Sequence, residues 1–331
     1  MALSWRQVHL AAAAEAVRAH RDLGIDSSRP VDPLAALDAA GVLVFRRRLD
    51  GVAGLYLPGD ATGGAPGVLI NVVHPPTKQR FTAAHELWHH RRDRMVALDT
   101  ETEWIARGGQ QPHPDRERLA EAFAAWFLMP RKLVEASVGQ LRLNLVELDA
   151  DGAYALALAM GTSYAATVYH LADMGLIDAA TRSRLAQVPP QRIKRNLSPP
   201  GVASDSWKDI RVVRFQTGED VHDVQAEEGD AVVIEVPETP SSGYVWEVAL
   251  VADGLAPVGD EYRAAEPRAL GGRGWHRFLV RVDTAGYQLL RLDLRRPWEA
   301  GPAVESIQVG VTAAPAPAPG IVRPQALVPA A

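Results

Sequence analysis

The chain has 331 residues, 47% of them hydrophobic and 23% charged, with a net charge of −5. That is more than one hydrophobic core normally serves, so two domains are expected, and the acidic balance offers no basic footprint for nucleic acid. Cysteine is absent, which excludes disulfides and thiolate-ligated metal and leaves His and carboxylate as ligands for any zinc site.

No stretch is apolar for long enough to span a bilayer. Met1 to His9 lacks the cationic and then apolar layout of a signal peptide. A cytoplasmic protein with no membrane partner is expected.

Residues 4 to 23 read as a helix, capped by Ser4, Ala-rich in the middle and stopped by Gly24. Pro33 opens a shorter helix through Leu34, Leu37 and Ala40 that ends at Gly41. Strand-like runs follow at 42–46, 52–57 and 68–73, separated by Gly-rich or Pro-rich turns. Pro75 and Pro76 break the chain, and Thr77 is placed to cap the next helix.

That helix carries Arg80-Phe81-Thr82-Ala83-Ala84-His85-Glu86-Leu87-Trp88-His89-His90. Positions four apart lie on one helix face, separated by about 6 Å of rise, so His85 and His89 can grip one Zn²⁺. Glu86 follows the first ligand and is placed to serve as general base towards an attacking water. A catalytic zinc takes three protein ligands. The next helix, expected over 115–127, supplies Glu117 and Glu121, four apart and able to share a face. If that face meets the His pair, either glutamate completes the set; otherwise both belong to a solvated acidic face. His90 points about 100° away from His89 and reads as a surface residue or one behind the ligands, and His113, between Pro112 and Pro114, reads as a passive loop histidine rather than an oxyanion donor.

These two segments together resemble the ImmA/IrrE-type metallopeptidases. Arg80 to His89 follow the family pattern Arg-Phe-Thr-x-Ala-His-Glu-x-x-His. Glu117, Ala120, Glu121, Phe123, Ala124, Ala125, Leu128, Met129 and Pro130 follow its second motif. The resemblance covers roughly residues 1–185. It implies an α+β zincin-like metallopeptidase domain with a helical extension. It also implies Zn²⁺ on His85, His89 and Glu117, with Glu86 catalytic and Glu121 in a supporting position behind the ligands. The implied substrate is an intracellular protein, such as a helix-turn-helix repressor, cleaved in a stress, mobile-element or defence response. Trp88 stands where the family usually has Gly, and a large indole there is expected to narrow the substrate cleft.

Short helices are expected at 131–137, 153–160 and 163–174. The last two read as helix-turn-helix, but residues 163–174 contain no Lys or Arg, so core or substrate docking is favoured over DNA reading. Residues 187–206, with Pro189-Pro190, Pro199-Pro200-Gly201 and a basic cluster of Arg192, Lys194 and Arg195, read as a semi-extended linker. The domains expected are therefore 1–186, the linker 187–206, a sandwich at 207–312, and a disordered or polyproline-like Pro/Ala tail at 313–331.

From residue 207 the texture becomes short alternating strands, at 210–215, 231–236, 244–248, 275–282, 287–294 and 306–311, with the spacing of a β-sandwich. Three loops resemble those of the chagasin family of cysteine-peptidase inhibitors. The first carries Pro240, Gly243, Tyr244 and Trp246; the second Gly272 and Gly274, with Arg273 where a Gly is usual; the third Arg296, Pro297 and Trp298. The resemblance implies an immunoglobulin-like all-β sandwich whose three loops form a protein-binding end for a papain-like cysteine peptidase. Two functions stand side by side at this stage. One is a zinc endopeptidase with a protein-binding domain. The other is a protease inhibitor or sensor whose metallopeptidase part is regulatory or inactive.

Overall fold

The computed structural model describes residues 3–100, 114–200, 202, 208–216, 218–265, 272–315 and 320–322. His113 lies outside them. The chain divides into two compact units, Met1–Gln187 with Pro317–Ala331, and Val188–Ala316.

In the first unit, α1 (Trp5–Asp22) begins in a capping box in which Ser4 and Gln7 satisfy each other's backbone N–H. α2 (Pro33–Ala39) is capped by Asp32. The chain continues through β1 (Leu43–Arg47), β2 (Val52–Leu57), one turn α3 (Gly59–Thr62), β3 (Gly67–Asn71), α4 (Pro76–Arg92), β4 (Ala97–Thr100) and α5 (Asp115–Leu128). Then come α6 (Arg131–Gln140), α7 (Ala150–Met160), α8 (Tyr164–Asp173) and α9 (Ala179–Ala186).

α4 is the axis of this unit. Every residue from Phe81 to His89 is buried, because the helix packs against α2 and α5 as well as β2 and β3. Thr77 does not cap it; Pro75 holds the cap position and Pro76 the first turn, where the missing N–H costs nothing. The helix is pinned by side chains instead. Arg80 donates Nε to Gly161 O at 2.9 Å and a second N–H to Val31 O. At the other end Arg91 reaches Glu15 at 3.0 Å and Asp22 at 2.9 Å, both on α1.

α5 is held likewise at its C-terminal end. The His20 ring bonds Phe127 O at 2.9 Å and the His170 ring bonds Met129 O at 3.1 Å, so two buried histidines cap carbonyls that the helix leaves unpaired.

The sheet of this unit has the order β13-β1-β3-β2-β4, where β13 is Gly320–Val322 from the far end of the chain. β13 runs antiparallel to β1, with Phe45 opposite Ile321. The residues expected as a Pro/Ala tail therefore include an edge strand, since an antiparallel strand pairs through backbone groups that any sequence carries.

The second unit opens with α10 (Pro190–Leu197). This corrects the semi-extended linker: Pro190 sits in the first helical turn, where proline is preorganised, and Ile193 and Leu197 are buried. The C-terminal carbonyls of α10 accept from Arg277 at 2.9 Å (Leu197 O) and Arg263 at 3.2 Å (Asn196 O). Lys194, expected in a solvated cluster, pairs with Asp209 at 3.3 Å.

The strands that follow are β5 (Ile210–Arg214), β6 (Val221–Glu227), β7 (Ala231–Glu238), β8 (Val245–Val251), β9 (Leu255–Ala264), β10 (Gly274–Val282), β11 (Gly286–Arg295) and β12 (Glu305–Ala314). They form two four-stranded sheets, β5-β7-β10-β9 and β6-β12-β11-β8. Val232, Ile234, Phe278, Val280, Leu290, Leu292, Ile307 and Val309 fill the core between them. β6 and β9 went unread in the sequence because they bury almost nothing: in β6 Ala226 alone is buried.

Candidate metal centre and loop surface

α4 presents His85 and His89 one turn apart, and α5 packs across them with Glu117 in its first turn. Their ligand atoms converge. His85 Nε2 lies 3.1 Å from His89 Nε2 and 3.2 Å from Glu117 Oε2, and His89 Nε2 lies 3.5 Å from the same oxygen. Among the described residues this is the one group of three or more His, Asp or Glu side chains that could hold a metal ion. Tetrahedral zinc with bonds of about 2.0–2.2 Å separates neighbouring ligand atoms by roughly 3.3–3.6 Å. With both Nε2 atoms unprotonated, two imidazole lone pairs and a carboxylate oxygen would converge on one point, where a cation could accept all three. The donor set therefore fits the metal.

Burial alone would push the Glu117 carboxyl up, but its contacts with His85 and His89 outweigh that and hold it well below the usual carboxylate range. Glu121, one turn further along α5, is half-buried and makes no hydrogen bond or ion pair with the three donors. The carboxylate behind the cluster is Asp93, whose Oδ2 lies 3.0 Å from His89 Nδ1. Asp93 went unread in the sequence. Its spacing of four from His89 was the available signal.

Glu86 is fully buried. β2 crosses its side chain at Gly54, where an added Cβ would sit 2.3 Å from Thr82 Cγ2 and 2.8 Å from Glu86 Oε1. Glycine here leaves the room that the Glu86 carboxylate occupies. Trp88 does not line an open cleft, as its identity suggested. It is 5% exposed, its ring packs 5.5 Å from Phe123 on α5, and it serves the contact between the two helices that carry the donors. His90 bonds the Tyr56 hydroxyl at 3.2 Å, and burial pushes its pKa down.

In the second unit the strand pairing gathers the three loops at one end. Gly274 at the start of β10 is opposite Glu238 at the end of β7, and Val245 at the start of β8 is opposite Arg295 at the end of β11. Gly243 is left-handed (φ +76°), and a Cβ on it would come within 2.9 Å of the Trp298 ring. The Arg296 guanidinium lies 4.5 Å above the Tyr244 ring and pairs with Glu299 at 2.8 Å. Gly272 O accepts from the Tyr262 hydroxyl at 2.8 Å, and Gly274 has no room for a side chain beside Arg263 O. Pro297 and Trp298 are exposed, Trp298 by 70%. Trp246 is not: it is buried in the sandwich core, with Nε1 donating to Pro237 O at 3.0 Å and its backbone N–H to Glu238. Of the two tryptophans expected to face a partner, only Trp298 is offered.

Fold and site thus define a chain that joins a helical unit with a His-His-Glu cluster to a β-sandwich-like unit with one elaborated end. Two family models match this division. Residues 37–171 match the IrrE N-terminal-like domain, a peptidase family model, and residues 225–312 match the chagasin family peptidase inhibitor I42. The family of the first match points to a metallopeptidase. Among solved structures, the cysteine protease inhibitor EhICP2 from Entamoeba histolytica is 21% identical, over 32% of this chain and 96% of that one, with a TM-score of 0.28. Amebosin is 20% identical over 32% and 99% of the two chains, TM-score 0.28. PbICP-C, solved in complex with falcipain-2, is 13% identical over 31% and 98%, TM-score 0.22. Compared with curated proteins, the chain gives no match.

Proposed function

We propose that the first unit is a zinc-dependent endopeptidase of zincin-like fold. The observation that carries this reading is the convergence of His85, His89 and Glu117 beside the buried Glu86. His85, His89 and Glu117 would hold Zn²⁺, which when bound supplies a Lewis acid that polarises the scissile carbonyl. Glu86 takes a proton from the attacking water and returns it to the leaving amine. Its burial on a pinned helix keeps the carboxylate in one position, and the packed α4–α5 contact through Trp88 and Phe123 keeps the donors in register. The substrate is a specific intracellular protein, a helix-turn-helix repressor in a stress or defence response being the class suggested by the family resemblance, and the protein acts in the cytoplasm.

The test is zinc content and substrate cleavage for the wild type, Glu86→Gln and Glu117→Ala. Glu86→Gln should keep its zinc and trap uncleaved substrate, while Glu117→Ala should lose both zinc and cleavage. A metal-free wild type, or a Glu86→Gln variant that cleaves normally, would sink the reading.

A second reading concerns the other unit, taken as an immunoglobulin-like sandwich. The exposure of Trp298 beside Arg296 and Tyr244 favours use of this end against a papain-like cysteine peptidase, as an apolar anchor on a turn with little freedom left to lose. Titrating papain with the full chain checks it. Unchanged papain activity at micromolar protein would remove this role.

A further inference from the structure

Behind the His pair lies an ion pair that no part of the proposed chemistry uses. Arg116 Nε is 2.7 Å from Asp93 Oδ2, the oxygen that also lies 3.0 Å from His89 Nδ1. The same Nε is 3.3 Å from His89 Nδ1 itself and 3.5 Å from Glu117 Oε1, the carboxylate oxygen turned away from the histidines. Arg116 also donates Nη2 to Val96 O at 3.2 Å, which fixes the guanidinium against the start of β4. One side chain thus touches the His89 ring, the carboxylate behind it and the rear oxygen of Glu117.

The local structure at Asp93 is unfavourable on its own terms. Asp93 sits at the C-terminal cap of α4, where the helix dipole disfavours an anion. The next residue, Arg94, is a non-glycine in the left-handed region (φ +50°), with its N–H on His89 O at 2.8 Å. Asp93 Oδ1 is buried with no hydrogen-bond partner among the described residues. Such conflicts between local preference and fold collect where a side chain is held for a purpose.

We propose that Asp93 and Arg116 form a positioning pair for the metal centre, and this rests on the zinc reading given above. Asp93 accepts the His89 Nδ1 proton, which leaves the lone pair on Nε2, the atom that faces His85 and Glu117. Arg116 neutralises Asp93 and steers Glu117 so that Oε2 points inward. Arg116 therefore acts on Asp93, Glu117 and the His89 ring that its Nε touches, and its own charge, which opposes a bound cation, is useful only while Asp93 is present to balance it.

The test measures the Zn²⁺ dissociation constant by chelator competition, and the melting temperature of the metal-free chain, for the wild type, Asp93→Asn, Arg116→Met and the double variant. Asp93→Asn should weaken zinc by about 10- to 100-fold, and Arg116→Met by up to about 10-fold. The double variant should bind no more weakly than Asp93→Asn alone, because the two residues act as one unit. The metal-free melting temperatures should agree within about 2 °C. Single losses that multiply in the double variant, or losses matched by a fall in metal-free stability, overturn the pair. A wild type that binds zinc while Asp93→Asn binds equally tightly overturns the pair and leaves the zinc reading standing, whereas a wild type that binds no zinc overturns both.

Discussion

In the first unit the groups with chemical potential project from two helices whose ends are pinned by Arg80, Arg91, His20 and His170. In the second, the exposed aromatic and guanidinium groups stand on turns between strands, and the sheets beneath them carry the stability. The contrast follows from what each surface would have to do in the functions proposed for it. Holding a cation between three donors tolerates displacements of a few tenths of an ångström, which packed helices provide. Meeting another protein calls for projecting side chains on a rigid base, which strand-end turns provide.

The largest test of that contrast lies in the two tryptophans of the second unit. Trp246→Ala should destabilise the sandwich by about 3–5 kcal/mol, because it empties a core site and orphans Pro237 O. Trp298→Ala should leave its melting transition within about 0.5 kcal/mol while removing any partner bound at the loop end. Calorimetry of the two variants separates scaffold from contact surface, and equal effects would erase the distinction.

Acid and base should then act on the units in opposite directions. In the first, burial pushes His170 from an ordinary 6.5 down to about 4. The unfolded chain takes up that proton first, so stability is complete above pH 6.5 and falls towards pH 4, by up to about 3 kcal/mol. In the second, His276 lies between Glu238 at 2.9 Å and Asp260 at 2.7 Å. Burial alone would lower its pKa, but the hydrogen bonds to both carboxylates outweigh that and raise it. Its contribution is complete below about pH 6.5, the ordinary value for histidine, and is lost as pH rises through the raised folded value. Calorimetric scans between pH 5 and pH 9 should show the two transitions moving in opposite senses, and His276→Gln should flatten the alkaline limb of the second.

Gly54→Ala should have a smaller effect on stability, about 1–3 kcal/mol, since the new methyl must displace Thr82 or Glu86. Its effect on catalysis should exceed its effect on zinc content, because Glu86 moves while the donors stay. A Gly54→Ala variant with normal cleavage would show that Glu86 tolerates displacement.

The parts of this molecule that were legible in the sequence are those in which a local rule decides. The His85–His89 spacing is a property of one helix, and the apolar runs of β7 and β10 are each a property of one strand. Which glutamate of α5 faces the histidines is settled by how two helices pack. Spacing alone left Glu117 and Glu121 equivalent, and only the resemblance to the metallopeptidase family separated them. Asp93 is hidden for a related reason: it belongs to the site through the way α4 ends, with Arg94 left-handed, and neither residue type advertises that ending. The prolines at the start of α10 read as linker because the same residue both favours extended chain and starts helices. Trp246 and Trp298 look alike as motif members, and strand parity, together with the partner waiting at Pro237 O, sends one inward.

The pairing of β13 with β1 gives the chain an order of assembly. Residues 320–322 complete a sheet whose neighbouring strand is 43–47, so the whole β-sandwich is made between two adjacent strands of one sheet. During synthesis the outer edge of β1 stays bare until some 275 further residues have been added, and an unpaired strand edge invites pairing with other chains. Contacts of such long sequence separation form late, so the last part of the first unit to fold is supplied from beyond the second.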